Sequence, residues 1–211
     1  MVDLAFGAAA VLSIVAIVDP PGVIAPFLVL SEGLTDQEKR TIINNSCVVA
    51  AVTLGVFAVF GQWIFAVFNF TVPAFKIAGG ALLFVTAFQM TQGQRTSRAR
   101  ITERGREDEV ASVGIVPLGI PLLAGPGAIT TVMIYMTRDV GAPDKMFVFA
   151  GILVAVLLTL VLLTSADRVF RRIGRLGTLA FGRIMGLLLA AVGVQFIIDG
   201  VLQVAANAGL P

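Results

Sequence analysis

Asp19 is where a chemical reading of this chain begins. It stands in IVDPPGVIAPFLVL, residues 17–30, ahead of Pro20, Pro21, Gly22 and, a turn later, Pro26. A carboxylate in that position can hold an ammonium group or a coupling ion, or it can cap the half-helix beginning at Pro20. A second set of breakers, Ala124, Gly125, Pro126 and Gly127, precedes the hydroxyls of Thr130 and Thr131, which can donate to a carboxylate. Proline removes a backbone donor, and glycine admits backbone geometry closed to other residues. Both stretches therefore offer main-chain N–H and C=O groups as ligands, and the chemistry is binding rather than bond-making. The chain has no histidine and one cysteine, Cys47, which removes the commonest general base and metal ligand. Asp19 and Asp199, the aspartates within apolar spans, lie toward different depths and make no aspartyl dyad. The expectation is no catalytic residue, no metal and no cofactor.

Those residues sit in a very apolar chain. Of 211 residues, 57% are hydrophobic and 13% charged, with a mean hydropathy of +0.96. Globular proteins carry about a quarter charged residues, so a soluble fold of this size leaves too much apolar surface unburied. The reading is an all-α polytopic membrane protein. A formal charge of +2 argues against a nucleic-acid partner. A spanning helix needs about 20 apolar residues, and candidates fall at 4–30, 42–62, 74–92, 113–137, 146–166 and 178–203. The N-terminal stretch lacks a basic leader region and is expected to be the first span, retained.

Charge sets the orientation. Lys39 and Arg40 follow the first span. Arg95, Arg98, Arg100, Arg104 and Arg106 follow the third, and Arg168, Arg171, Arg172 and Arg175 the fifth; the opposite loops hold Arg138 and Lys145. By the positive-inside rule the loops 31–41, 93–111 and 167–177 are cytoplasmic and both termini lie outside. Lys76 and Arg183, near the ends of spans three and six, are expected to snorkel to the headgroups.

Two spans are overlong. As one helix, residues 4–30 would extend ~40 Å against a hydrocarbon core of about 30 Å. The span at 113–137 is also long and also interrupted. A shift of 105 residues sets Pro21–Gly22 on Pro126–Gly127, and a shift of 107 sets Lys76, Ile77 and Gly79 on Arg183, Ile184 and Gly186. The expected architecture is six transmembrane helices in one domain, 1–211. Its parts are a three-helix repeat over 1–92, a cytoplasmic linker loop over 93–112 and a second repeat of inverted topology over 113–211. The first and fourth helices are broken at mid-membrane, an arrangement used by secondary transporters. Gly79, Gly80 and Gly186 are expected to permit close helix packing, and Asn44, Asn45, Gln89 and Gln195 to hydrogen-bond between helices.

The strings VDPPGVIAPF with the following LTDQEKR, FKIAGGALLF, GIPLLAGPGAITTV and RIMGLLLAAVGVQFIIDG resemble the MarC family over essentially the whole chain. The resemblance implies a six-span bacterial or archaeal inner-membrane protein. It also implies transport of small neutral amino acids of the glycine, alanine, serine and threonine type. The implied substrate site runs from Asp19 to Pro26 in the first helix and from Ala124 to Thr131 in the fourth. The family commonly has asparagine where this chain has Asp19. Membrane lipids and a coupling proton or sodium ion are the expected partners, and a homo-oligomer stays open. An exporter of another small metabolite and a small-solute channel are the alternatives.

The orientation is testable with single cysteines at Ser97 and Asn207 in a chain lacking Cys47. An impermeant thiol reagent added outside intact cells should label Asn207→Cys and spare Ser97→Cys. Labelling of Ser97→Cys from outside would overturn both the orientation and the inverted repeat.

Overall fold

The computed structural model describes residues 3–31, 33–91, 106–170 and 174–208. All the regular structure among them is helical. The helices are α1 (Leu4–Val18), α2 (Ile24–Leu30), α3 (Asp36–Val67), α4 (Val72–Thr91) and α5 (Arg106–Val113), then an irregular helical segment (Gly114–Leu123), α6 (Pro126–Thr137), α7 (Ala142–Phe170) and α8 (Gly174–Asn207). Residues 92–105, with Ser97 and most of the arginine-rich loop, lie outside the described residues, as do Arg171 and Arg172. Among the described residues, four helices are long and apolar enough to cross a membrane, and the bent pair Val110–Leu123 and Pro126–Thr137 makes a fifth candidate. The expected first span is divided. At 15 residues, α1 reaches only about 22 Å, short of the ~30 Å core.

Local chemistry sets these boundaries. The stretch 31–41, expected as a loop, turns helical at Asp36. Thr35 and Glu38 form a reciprocal capping box, in which Thr35 Oγ1 accepts from the Glu38 amide and Glu38 Oε2 accepts from the Thr35 amide at 2.7 Å. The expected linker loop also ends early, because residues from Arg106 onward are helical. The second broken span breaks more than once. Val116 (φ −130°, ψ 123°) and Ile120 (φ −133°, ψ 125°) are extended, and each precedes a proline, which disfavours the helical region for the residue before it.

Packing divides the molecule in two. α1 lies on α7, and α3 packs against the irregular segment, α6 and α7; α4 packs principally against α8. The main buried apolar cluster draws on α1, α2, α3, α6 and α7, and among the described residues takes none from α8. The α4–α8 pair is thus an arm beside a bundle. Phe65, Phe70 and Phe75 join the two at the α3–α4 turn, with ring centroids 4.5–5.9 Å apart, and α2 rests on α8 while α4 touches α6.

The arm is built on small residues in steps of seven. A Cβ on Gly193 would lie 2.7 Å from the Gly80 carbonyl oxygen, one on Gly186 3.0 Å from that of Ala87, and one on Gly200 2.8 Å from that of Pro73. The two series run in opposite directions, so α4 and α8 are antiparallel with a heptad seam. Gly80 and Gly186 serve the close packing expected of them within this seam. Gly79 serves a different contact, with the ring of Pro126 on α6. Of the expected interhelical donors, Asn45 Nδ2 donates to the Ala111 carbonyl. Gln195 instead donates within its own helix, to Asp199 at 2.7 Å.

Gly193→Leu should destabilise the detergent-solubilised protein by about 1–3 kcal/mol through overpacking. Gly55, with nothing within 4 Å of its added Cβ, should tolerate leucine within about 0.5 kcal/mol. Thermal unfolding of the two variants compares them; equal shifts would mean that the seam is not tight.

Candidate functional site

The first break follows from two adjacent prolines. In a continuous helix the Ala16 and Ile17 carbonyls would accept from residues 20 and 21, and proline has no N–H to give. Asp19 precedes Pro20 and leaves the helical region for the left-handed one (φ 49°, ψ 64°), which aspartate and asparagine tolerate better than most residues. Its amide donates to the Val15 carbonyl at 3.2 Å, and its carbonyl accepts from the Gly22 amide at 3.0 Å. Its Oδ1 also accepts from that amide, at 3.3 Å. Of the two sequence readings of Asp19, the capping one needs correction. Asp19 closes the C-terminus of α1; the next half-helix begins at Ile24, not Pro20, with no side-chain cap.

The second break mirrors this with the opposite helix end. Gly125 is the N-cap of α6 and Pro126 its first residue, the favoured place for a proline. The Ile129 amide donates to the Gly125 carbonyl at 3.0 Å. Among the described residues no acceptor reaches the Gly127 and Ala128 amides, and no donor reaches the Ala16 and Ile17 carbonyls. A C-terminal helix end, rich in free carbonyls, thus faces an N-terminal one with free amides.

Both ends open on one cavity of about 480 Å³. Asp19, Gly22, Gly125 and Gly127, all expected at the site, line it, and so does Pro26. The other expected residues do not. Pro20 and Ala124 are buried, Pro21 is exposed away from the cavity, and Pro126 packs on Gly79. Thr131 is half-buried outside the lining, and Thr130, 6% exposed, has a hydroxyl without a partner. Neither threonine is positioned to donate into the cavity, because α6 turns only Gly127 and Ala128 toward it.

Much of the remaining wall comes from the arm, through Leu83 of α4 and Met185, Leu189, Val192 and Phe196 of α8, beside Pro121 and Leu122 of the irregular segment. Sequence reasoning missed these, since an apolar residue on a spanning helix reads the same whether it meets lipid or a cavity. It also missed Tyr135, whose hydroxyl lies 2.9 Å from Ser13 Oγ and donates to the Ala9 carbonyl at 3.2 Å. This link ties α1 to α6 on the side of the cavity nearer the N-terminus. Among the described residues no group of three or more cysteine, aspartate or glutamate side chains is gathered to hold a metal ion.

A family model described as "MarC family integral membrane protein" matches residues 4–205. Curated relatives span nearly the same length. A "UPF0056 membrane protein" of Methanocaldococcus jannaschii is 37% identical over 94% of this chain and 97% of its own. One from Pyrococcus horikoshii is 38% identical over 88% and 89%, and YvbG of Bacillus subtilis is 30% identical over 88% and 89%. No solved structure matches.

Because asparagine also accepts the left-handed backbone and the Gly22 amide, Asp19→Asn should leave stability within about 0.5 kcal/mol of the parent. Asp19→Ala, with neither advantage, should cost about 1–2 kcal/mol. Unfolding in detergent measures both. A large loss with asparagine would mean that the negative charge itself holds the break together.

Proposed function

We propose that this chain, which belongs to the MarC family of integral membrane proteins, is a secondary transporter that holds a small neutral amino acid between its two broken helices. The observation that carries the proposal is the single cavity on which two complementary helix ends open. A zwitterion suits them. Its ammonium group meets the Ala16 and Ile17 carbonyls and Asp19, and its carboxylate meets the Gly127 and Ala128 amides. Glycine, alanine, serine and threonine are the class implied by the family resemblance. Asp19, exposed and lining the cavity, is the group on which a coupling proton or sodium ion acts.

Two further features support a carrier over a channel. On the side nearer the N-terminus, Phe6, Ala10 and Ile14 are buried, and the Tyr135 link joins α1 to α6. The cavity lies on the other side, toward Pro26, Pro121 and Met185. A site open to one side at a time is what alternating access needs. We read the packing in terms of the inverted repeat expected from the sequence, since α1 lies on α7 as the second broken segment lies on α3, and α2 meets α8 as α6 meets α4. In such carriers one bundle rocks against the other around a central site, and here the arm is the separate body.

Reconstituted protein should take up labelled alanine with saturation and counter-exchange. A Cβ on Gly127 would sit 3.2 Å from both Ile17 and Phe196, so Gly127→Val fills the cavity beside the free amides. Uptake should fall on the order of tenfold or more, while Gly55→Val, placed in open space, stays near the parent rate. Unchanged uptake by well-folded Gly127→Val would move the substrate away from the breaks.

A further inference from the structure

We infer that the Tyr135 hydroxyl latches a gate on the side of the cavity nearer the N-terminus, and that this gate opens when α6 parts from the α1–α7 pair. The inference rests on the transport reading and adds to it which seam opens and which residue holds it shut.

α1 meets its two neighbours in different ways. Against α7 it packs closely. A Cβ on Gly151 would lie 3.2 Å from the Val11 Cα, and one on Gly7 would lie 2.7 Å from the Phe147 ring. The Asp3 amide donates to Asp144 Oδ1 at 2.8 Å, and Asp144 is buried. Separating such a seam forfeits many close contacts at once. Toward α6, α1 turns one face: Ala9, Ser13 and Ile17 recur every fourth residue, as do Gly127, Thr131 and Tyr135 on α6. Ile17 meets Gly127 at the cavity, and Ser13 meets Tyr135 two turns away. Among the described residues the polar contacts across this seam belong to the Tyr135 hydroxyl. With its one hydrogen given to the Ala9 carbonyl at 3.2 Å, it accepts from Ser13 Oγ at 2.9 Å.

These two bonds can be exchanged, which suits a latch. Ala9 stands four residues before Ser13, so its carbonyl lies where a helical serine hydroxyl can bond. When α6 leaves, Ser13 turns back to that carbonyl, and its hydroxyl keeps a partner. The Tyr135 ring is held separately, edge-on to Phe6 at 5.6 Å and under the Arg138 guanidinium at 4.9 Å. Tyr135→Phe keeps these ring contacts and removes the link alone. α6 is also joined to the arm, because Pro126 sits so close to Gly79 of α4 that a Cβ there would run into its ring. Movement of the arm therefore draws on α6, and the Tyr135 link opposes it. A hydrogen bond between helices in a membrane shifts such an equilibrium by roughly three- to tenfold.

The test places a single cysteine at Ala16, which lines the cavity, in a full chain lacking Cys47. Its modification by an impermeant thiol reagent is followed from each side of sealed vesicles. In the parent, the side away from the N-terminus should react faster. Tyr135→Phe should raise the rate from the N-terminal side by roughly three- to tenfold. The opposite rate should stay within about twofold, because the state closed on the N-terminal side remains the major one. Ser13→Ala should have a smaller effect of the same sign, since Tyr135 keeps the Ala9 carbonyl. An unchanged rate from the N-terminal side in well-folded Tyr135→Phe would overturn the inference. So would an equal rise from both sides, which marks general loosening. If Tyr135→Phe fails to fold, Ser13→Ala decides by the same comparison of sides. Labelled alanine exchange in the same vesicles separates the two readings. Alanine carried by the parent, with no one-sided rise in the variants, would sink the latch and leave transport standing. A one-sided rise without alanine flux would keep the gate and sink the amino acid reading.

Discussion

An unpaired backbone carbonyl cannot be left in hydrocarbon, and most of this structure can be traced to that constraint. Pro20 and Pro21 deprive the Ala16 and Ile17 carbonyls of donors, and the α6 start at Pro126 leaves the Gly127 and Ala128 amides without acceptors. In a bilayer such groups survive only where protein covers them or a polar cavity receives them. Turning both helix ends toward one cavity meets the requirement for each. The seam of small residues between α4 and α8 sets one side of that cavity, because glycines at Gly186, Gly193 and Gly200 let α8 approach α4 closely enough to act with it as one wall.

How much of this was legible in the sequence depends on the range of each effect. Proline and glycine act on their immediate neighbours, so the breaks near Asp19 and Gly125 could be read directly. The same rule applied to Pro117 and Pro121 accounts for the extended Val116 and Ile120, although a hydropathy window treats that stretch as one span. The window also begins the second span at residue 42, because it excludes charge. The Thr35–Glu38 capping box, a local signal of a different kind, carries the helix back to Asp36. The choice of Asp19, Gly22, Gly125 and Gly127 reached the cavity, whereas Thr130 and Thr131 fell outside it. Helical periodicity after the break rotates both threonines away, and that rotation is visible only once the start of α6 is known. The arm residues were not legible at all. Leu83, Leu189 and Phe196 belong to apolar spans in which the side facing the site has no compositional mark.

The bundle and the arm carry separate parts of the account. The bundle holds the two backbone ends, and the arm lines much of the rest of the cavity with apolar side chains. The two bodies meet at the aromatic contacts of Phe65, Phe70 and Phe75 and along α2 and α6. Movement of the arm against the bundle would then alter the shape of the cavity without disturbing the packed core of α1, α3 and α7.

The central claim is that one ligand occupies both breaks at once, and thiol protection measures it most directly. Single cysteines replace Ala16, beside the first break, and Leu122, beside the second, in a chain lacking Cys47; both positions line the cavity. The rate of modification by a small thiol reagent is followed with and without a saturating neutral amino acid. The account predicts that the same amino acid slows modification at both positions over the same concentration range. Protection at one break only, or at neither while uptake continues, would contradict it.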